Sequence, residues 1–69
     1  MNWKRYIEFN PKILFGKAVI KGTRIPVFLI LEKLGAGHNT DAILKAYPRI
    51  DLRAIQACLY FASENSRFI

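Results

Sequence analysis

The chain has 69 residues, of which 52% are hydrophobic, and it carries a formal net charge of +6 with an isoelectric point near 9.9. This length allows one domain with a small core, and the apolar content exceeds what such a core hides, which predicts a homodimer or a partner protein. One cysteine and one histidine allow no internal disulfide or structural zinc site, and the lack of a ~20-residue apolar run or signal peptide predicts a soluble, cytoplasmic protein.

The first third of the chain is its basic part and predicts a short β element. Residues 1–24 hold six of the 11 Lys and Arg residues but one of the five acidic residues. The stretch Trp3 to Phe9 is rich in aromatic and β-branched residues, as strands are, and Ala18 to Ile20 predicts a second strand. A basic arm beside helices suits contacts to DNA phosphates, although solubility alone is the alternative explanation.

The next segment predicts a first helix that begins near Pro26, a residue suited to the first helical position, and is ended by Gly35 and Gly37. Its apolar stripe has helical spacing and comprises Val27, Ile30, Leu31 and Leu34. Phe28 and Leu29 lie off that stripe. We therefore expect this helix to be buried on two sides.

Two further helices joined by a short turn are predicted in the second half of the chain. Asn39 and Asp51 are suited to cap their N-termini. Pro48 ends the first of the two, because a proline disfavours helical backbone in the residue before it. Ile50 and Ile55 flank the second cap as a hydrophobic staple. Such a pair is typical of the DNA-binding helix-turn-helix motif.

The predicted third helix has two faces of different character. Its core-facing side is predicted to hold Leu52, Ile55, Cys58, Leu59 and Ala62, and its outer side Arg53, Gln56, Ala57, Tyr60 and Glu64. Arg, Gln and Tyr side chains can contact base edges or phosphates, and a small alanine lets the backbone approach a groove. A solvated helix face is the alternative. The predicted base contacts are Arg53, Gln56 and Tyr60, and the predicted phosphate contacts are Lys17, Lys21, Arg24 and Arg49.

The sequence then resembles a known family. Residues 16–27, GKAVIKGTRIPV, are similar to the signature of the domain-of-unknown-function 433 family of small bacterial and archaeal proteins. Later positions that follow the same pattern are Gly37, Asn39, Ile43, Leu44, Tyr47, Pro48, Ile55, Ala57, Tyr60, Phe61 and Ala62. The resemblance covers about residues 7–62. Ala54 departs from it, because members often carry an acidic residue there, and the chain ends soon after the third helix.

The resemblance implies a mainly α fold: a three-helix, homeodomain-like helix-turn-helix bundle with a short N-terminal β element. We expect residues 1–69 to form a single domain, with a basic β arm at 1–24, three helices at 25–65 and a tail at 66–69. The resemblance further implies a VapB-type antitoxin of a type II toxin–antitoxin pair. Such a protein binds and neutralises a PIN-like ribonuclease toxin, and it binds operator DNA as an autorepressor.

The C-terminal tail holds the predicted toxin contacts Arg67, Phe68 and Ile69. The arginine could bind in the acidic metal-binding pocket of the nuclease, and the two terminal hydrophobic residues could anchor beside that pocket. The alternative is a frayed tail that binds nothing. At the strand–helix junction, Gly22 is expected to adopt a positive φ and Thr23 to form a local cap. Arg24 is assigned either to hydrogen bonds at this junction or to a phosphate. Two other functions stay open: a stand-alone DNA-binding transcriptional regulator, and a protein-interaction inhibitor module without DNA binding.

Catalytic chemistry has little support in the sequence. Five carboxylates, two of them explained as helix starts, offer no ligand cluster for a metal nuclease. His38 has no paired acid or nucleophile nearby, and Cys58 is expected to be a small buried hydrophobe. We expect no enzymatic activity, no cofactor, no metal and no membrane partner. The scattered aromatic residues also disfavour an RNA-stacking platform.

Overall fold

The computed structural model describes residues 1–67 and contains three helices and a two-stranded antiparallel sheet. The elements are a 3-10 turn at Trp3–Arg5, strand β1 at Ile7–Phe9, a second 3-10 turn at Leu14–Gly16, strand β2 at Ala18–Ile20, and helices α1 at Val27–Gly35, α2 at Thr40–Ala46 and α3 at Leu52–Asn65. The three predicted helices and the second strand are confirmed. The first strand is shorter than predicted, because the Asn2 side chain accepts a hydrogen bond from the Lys4 backbone and starts a 3-10 turn.

The two strands contribute Ile7, Val19 and Ile20 to the buried core, and the chain then turns into α1. Ile7 lies opposite Ile20, and both are buried. The chain leaves β2 through Gly22, whose φ of 76° is the positive value predicted for this turn. The Thr23 hydroxyl donates to the Ile20 carbonyl at 2.7 Å and accepts from the Ile25 backbone N–H at 3.0 Å. The prediction of a local cap at Thr23 is thereby confirmed.

Helix α1 begins one residue later than predicted. Pro26 has an extended backbone (φ −73°, ψ 145°) and is the N-cap, because a β-bridge to Val19 holds it beside the sheet. Val27 and Ile30 are buried, but Phe28 remains 49% exposed. In a single copy of the chain, α1 is therefore not covered on both sides as expected: one side packs on β2, α2 and α3, and Phe28 faces outward.

The predicted caps of α2 and α3 both form. The Asn39 side chain accepts from the Ala42 backbone N–H at 2.8 Å, and the Asp51 carboxylate accepts from the Ala54 backbone N–H at 3.0 Å. Each bond satisfies one of the backbone donors that a helix start leaves unpaired. The turn between the two helices is consequently short and well defined, with Ile50 buried beside it.

Helix α3 is rotated relative to its predicted orientation. Ala57, predicted on the outer face, is fully buried, whereas Leu52 and Leu59, predicted in the core, are 47% and 48% exposed. The reason is that α3 packs on α1 and α2 and also on the Trp3–Arg5 turn and β1, so that it buries a wide arc of its surface. That arc is centred on the small residues Ala54, Ala57 and Cys58 together with Ile55.

The N-terminal turn is attached to the second half of α3 by aromatic contacts. The Trp3 ring meets Phe61 edge-on with centroids 4.9 Å apart, and Phe9 lies 5.9 Å from the same ring. The Trp3 indole N–H also donates to the Glu64 carboxylate. Among residues 1–67 no helix is long and apolar enough to cross a bilayer.

Candidate nucleic-acid interface

The outer face of α3 presents all three predicted base contacts to solvent. Arg53, Gln56 and Tyr60 are exposed, and Tyr60 retains 52% of its accessible surface. Their spacing of three and four residues puts them on one side of the helix. Leu52 and Leu59 lie exposed beside them, so this face combines polar groups with apolar surface. Its chemistry suits both base edges and thymine methyl groups.

A row of exposed cationic side chains runs along the hairpin and the α2–α3 turn, and we call it the basic belt: Arg5, Lys21, Arg49, Arg24 and Lys17. Three shallow depressions connect them. Arg5, Lys21 and Arg49 line the first, of about 230 Å³, and Arg49 and Arg24 line the second, of about 300 Å³. Arg24 and Lys17 line the third, of about 380 Å³. Because neighbouring depressions share a cation, the belt is continuous.

Two carboxylates border the belt. Asp51 lies in the first depression, but one of its oxygens accepts the backbone hydrogen bond that caps α3. Glu8 lies in the second depression, on the central residue of β1. Exposed cations set this close repel one another, and a polyanion relieves that repulsion while releasing counterions. The belt is therefore suited to a polyanionic ligand.

The structure brings together the four predicted phosphate contacts and adds Arg5, which sequence reasoning missed. The Lys21 backbone N–H donates to the Tyr6 carbonyl at 2.9 Å, which sets Arg5 beside Lys21. The hairpin register predicts this proximity once the two strands are paired. At the strand–helix junction the side-chain hydrogen bonds come from Thr23, and Arg24 is exposed.

The groups considered for catalysis lie apart from the belt. Cys58 is fully buried, and burial raises the pKa of its thiol to about 11, so that the thiol is protonated at neutral pH. His38 is exposed in the connection between α1 and α2. Within residues 1–67, no group of three or more His, Cys, Asp and Glu side chains is placed to hold a metal ion.

The predicted toxin contacts are only partly within the described chain. Arg67 is exposed, two residues after the last residue of α3. Phe68 and Ile69 lie outside the described residues. The structure therefore locates the cationic member of that set near the C-terminal end of α3, on the opposite end of the helix from Arg53.

Two known proteins are similar to this chain. The uncharacterized protein y4eO from Sinorhizobium fredii (strain NBRC 101917 / NGR234) is 32% identical over 62 residues, which are 90% of this chain and 28% of the relative. The crystal structure of a DUF433 member protein from Anabaena variabilis ATCC 29413 superposes with a TM-score of 0.83 at 27% identity, over 87% of this chain and 59% of that one. The chain thus spans less than two thirds of either relative.

The family signature also matches at the level of a sequence profile. The profile of the family described as "Protein of unknown function (DUF433)" matches residues 7–62. This range includes both strands, the three helices up to Ala62 and four of the five belt residues. The predicted resemblance to this family is confirmed, and the chain belongs to the DUF433 family.

Proposed function

We propose that the protein is a DNA-binding repressor of the antitoxin type, in which α2, the following turn and α3 act as a helix-turn-helix in a homeodomain-like bundle. The observation that carries the proposal is the basic belt together with the exposed polar side of α3. A recognition helix needs an outward face that can reach base edges, and it needs cations that hold the flanking phosphates. The polar side of α3 is a candidate for the outward face, and the basic belt is a candidate for the flanking cations.

The relation between Arg49 and Arg53 links the two surfaces. Arg49 belongs to the belt and lies in the turn before α3, whereas Arg53 lies in the first turn of that helix. The N-terminal residues of a recognition helix are the ones that meet base edges. In this proposal Arg53, with Gln56 behind it, contacts bases while the belt contacts phosphates of the same duplex. Tyr60 extends the contact along α3.

Selection from a random duplex library tests the DNA-binding part, because it works for an operator of any sequence. The wild-type protein should enrich a defined sequence. Arg53→Ala should reduce the preference for that sequence by about 1–3 kcal/mol if the arginine binds guanine. Lys33→Ala is the matched control, because it removes one positive charge from α1 outside the belt and should preserve the preference. Failure of the wild type to enrich any sequence, or equal preference in Arg53→Ala, would contradict the proposed role.

For the antitoxin activity, we propose that the protein is a cytoplasmic homodimer whose protein partner is a PIN-like ribonuclease. Its support is chemical: the active site of such a nuclease is acidic, and Arg67 is an exposed cation near the end of α3. Deletion of residues 66–69 tests it in an inhibition assay against a PIN-like ribonuclease sought among the products of the neighbouring genes. Weakened inhibition is expected, with DNA binding unchanged. Full inhibition by the shortened chain would show that the tail does not bind the nuclease.

A protein-interaction module without DNA binding is the second candidate function, favoured by Leu52 and Leu59. Half-exposed leucines on one helix face are typical of protein docking surfaces. Leu59→Gln distinguishes the two functions. If α3 serves mainly to bind the nuclease, this substitution weakens inhibition and no DNA sequence is enriched. If α3 serves mainly to bind DNA, it leaves inhibition unchanged and the wild type retains its preferred sequence.

A further inference from the structure

The segment Leu14–Gly16 holds three consecutive residues in the left-handed region, with φ values of 48°, 58° and 82°. Two of the three are not glycine, and bulky residues rarely adopt this conformation. Backbone hydrogen bonds from Gly16 N–H to the Ile13 carbonyl and from Lys17 N–H to the Leu14 carbonyl fix the segment. Its effect is to hold Phe15 out in solvent, with 99% of its accessible surface exposed. Strain of this kind persists where it serves a function.

An open apolar groove lies beside this projecting ring. It measures about 440 Å³, and its lining includes Phe9, Phe28, Leu31 and Phe61. Phe9 is 56% exposed and Phe28 is 49% exposed. Gly16 and Lys17, the two residues after Phe15, also line it. The Lys17 ammonium stands 5.2 Å from the centroid of the Phe28 ring and forms part of the rim.

A projecting aromatic ring and an aromatic groove on one chain are complementary to each other. Phe15 does not line the groove of its own chain; it borders the neighbouring depression, with Leu14 and Phe28. If two copies are related by a two-fold axis, each copy can insert its ring into the groove of the other. This is the arrangement of an isologous dimer. We propose that this face joins two copies of the chain, with Phe15 of each copy inserted into the Phe9–Phe28–Phe61 groove of the other.

The exposed aromatic rings supply a large part of the area that a dimer contact requires. The exposed fractions of Phe9, Phe15 and Phe28 amount to about two whole phenylalanine side chains, or roughly 300–500 Å². A stable interface takes about 800 Å² from each partner, and these rings supply about half of that area before Leu14 and the lysine stems are counted. An exposed apolar patch of this size is often a functional surface.

The dimer contact can be measured separately from the proposed DNA binding, because its aromatic residues lie outside the basic belt. Lys17 and Arg24 are the residues that the aromatic face and the basic belt share, through the depression that Leu14, Phe15 and Phe28 also line. A dimer formed here sets two belts next to each other. Loss of dimerisation and loss of sequence preference are therefore separate measurements.

Sedimentation equilibrium of the whole chain tests the contact. The wild type should dimerise in the micromolar range. Phe15→Asn should weaken dimerisation about 30-fold or more, as removal of a central aromatic anchor does. Asparagine tolerates the left-handed backbone, and Phe15 makes no buried contact in the monomer, so the folded monomer should be preserved. Leu59→Gln is the matched control on α3 and should leave the dimer unchanged.

Site-directed cross-linking supplies a second measurement. An oxidised mixture of Phe15→Cys and Phe28→Cys single variants should form a disulfide-linked heterodimer, whereas Phe15→Cys mixed with Leu59→Cys should not. The native Cys58 is fully buried and does not compete. A wild type that is monomeric at high micromolar concentration would overturn the proposal. So would a dimer that Phe15→Asn leaves intact, or one that Leu59→Gln dissociates instead.

Discussion

At the scale of single residues, Cys58 shows how burial alone sets chemical behaviour. Its thiol lies among the core residues of α3, and burial raises its pKa from the ordinary 9.0 to about 11. The thiolate that reacts with alkylating agents is thus scarce in the folded protein. The sequence-based expectation of a small buried hydrophobe at this position is confirmed by its zero exposure.

The raised pKa predicts a specific dependence of stability on pH. Because the folded state holds the thiol proton more tightly than the unfolded state, Cys58 has no destabilising effect below pH 9.0 and lowers stability as the pH rises toward about 11. Urea unfolding of the wild type and Cys58→Ala across that range measures the effect. The wild type should lose more stability than the variant does. Parallel losses in the two proteins would show that Cys58 is not titrating from a buried position.

Several residue-level predictions succeeded because their causes are local in sequence. Thr23, Asn39 and Asp51 each bond a backbone group within three residues, so spacing and side-chain type were sufficient to identify them. The left-handed pair Leu14 and Phe15 could not be predicted, because neither residue type favours that conformation. What holds them there is the surrounding turn of backbone hydrogen bonds.

At the scale of elements, the start of α3 depends on one side chain. Asp51→Ala removes the oxygen that accepts from the Ala54 N–H, and we expect the loss of a cap to destabilise the protein by about 1 kcal/mol. For a chain of this size that corresponds to a drop in Tm of about 4–8 °C. Asp41→Ala, which removes a first-turn charge from α2, is the control and should lower Tm less. Equal drops would mean that charge rather than the cap stabilises α3.

The rotation of α3 shows that the spacing of apolar residues did not predict which face of this helix is buried. A single apolar stripe predicted Leu59 in the core and Ala57 outside, but the helix packs on both sides and buries its small residues. Spacing along a helix cannot reveal how many neighbours it has. The same limitation explains Phe28, which was expected to be covered and instead lines the aromatic groove.

The observed orientation of α3 predicts opposite outcomes for two adjacent substitutions. Ala57→Leu inserts three carbon atoms into a fully buried position and should destabilise the protein by about 1–3 kcal/mol. Gln56→Leu adds its side chain on the exposed face and should change stability by less than about 0.5 kcal/mol. Chemical denaturation of both variants decides the matter. A larger loss for Gln56→Leu would indicate that the helix is turned the other way.

At the scale of the whole molecule, the sequence predicted the ingredients of the candidate interface more fully than their arrangement. Lys17, Lys21, Arg24 and Arg49 were all identified from charge and position. Their union into one belt, and the inclusion of Arg5, depend on the antiparallel pairing of β1 with β2 and on the packing of the hairpin against the α2–α3 turn. These are contacts between distant parts of the chain, which charge patterns do not encode.

The most direct test of the proposed function is the salt dependence of DNA affinity, measured by fluorescence anisotropy. If the five belt residues neutralise phosphates, the logarithm of affinity should fall with the logarithm of salt concentration with a slope of about −4.5 per bound chain. Lys21→Ala should reduce the magnitude of that slope by about 1, and Lys33→Ala should leave it unchanged. Absence of DNA binding at low salt, or an identical slope for the wild type and Lys21→Ala, would contradict the assignment of the basic belt to nucleic acid.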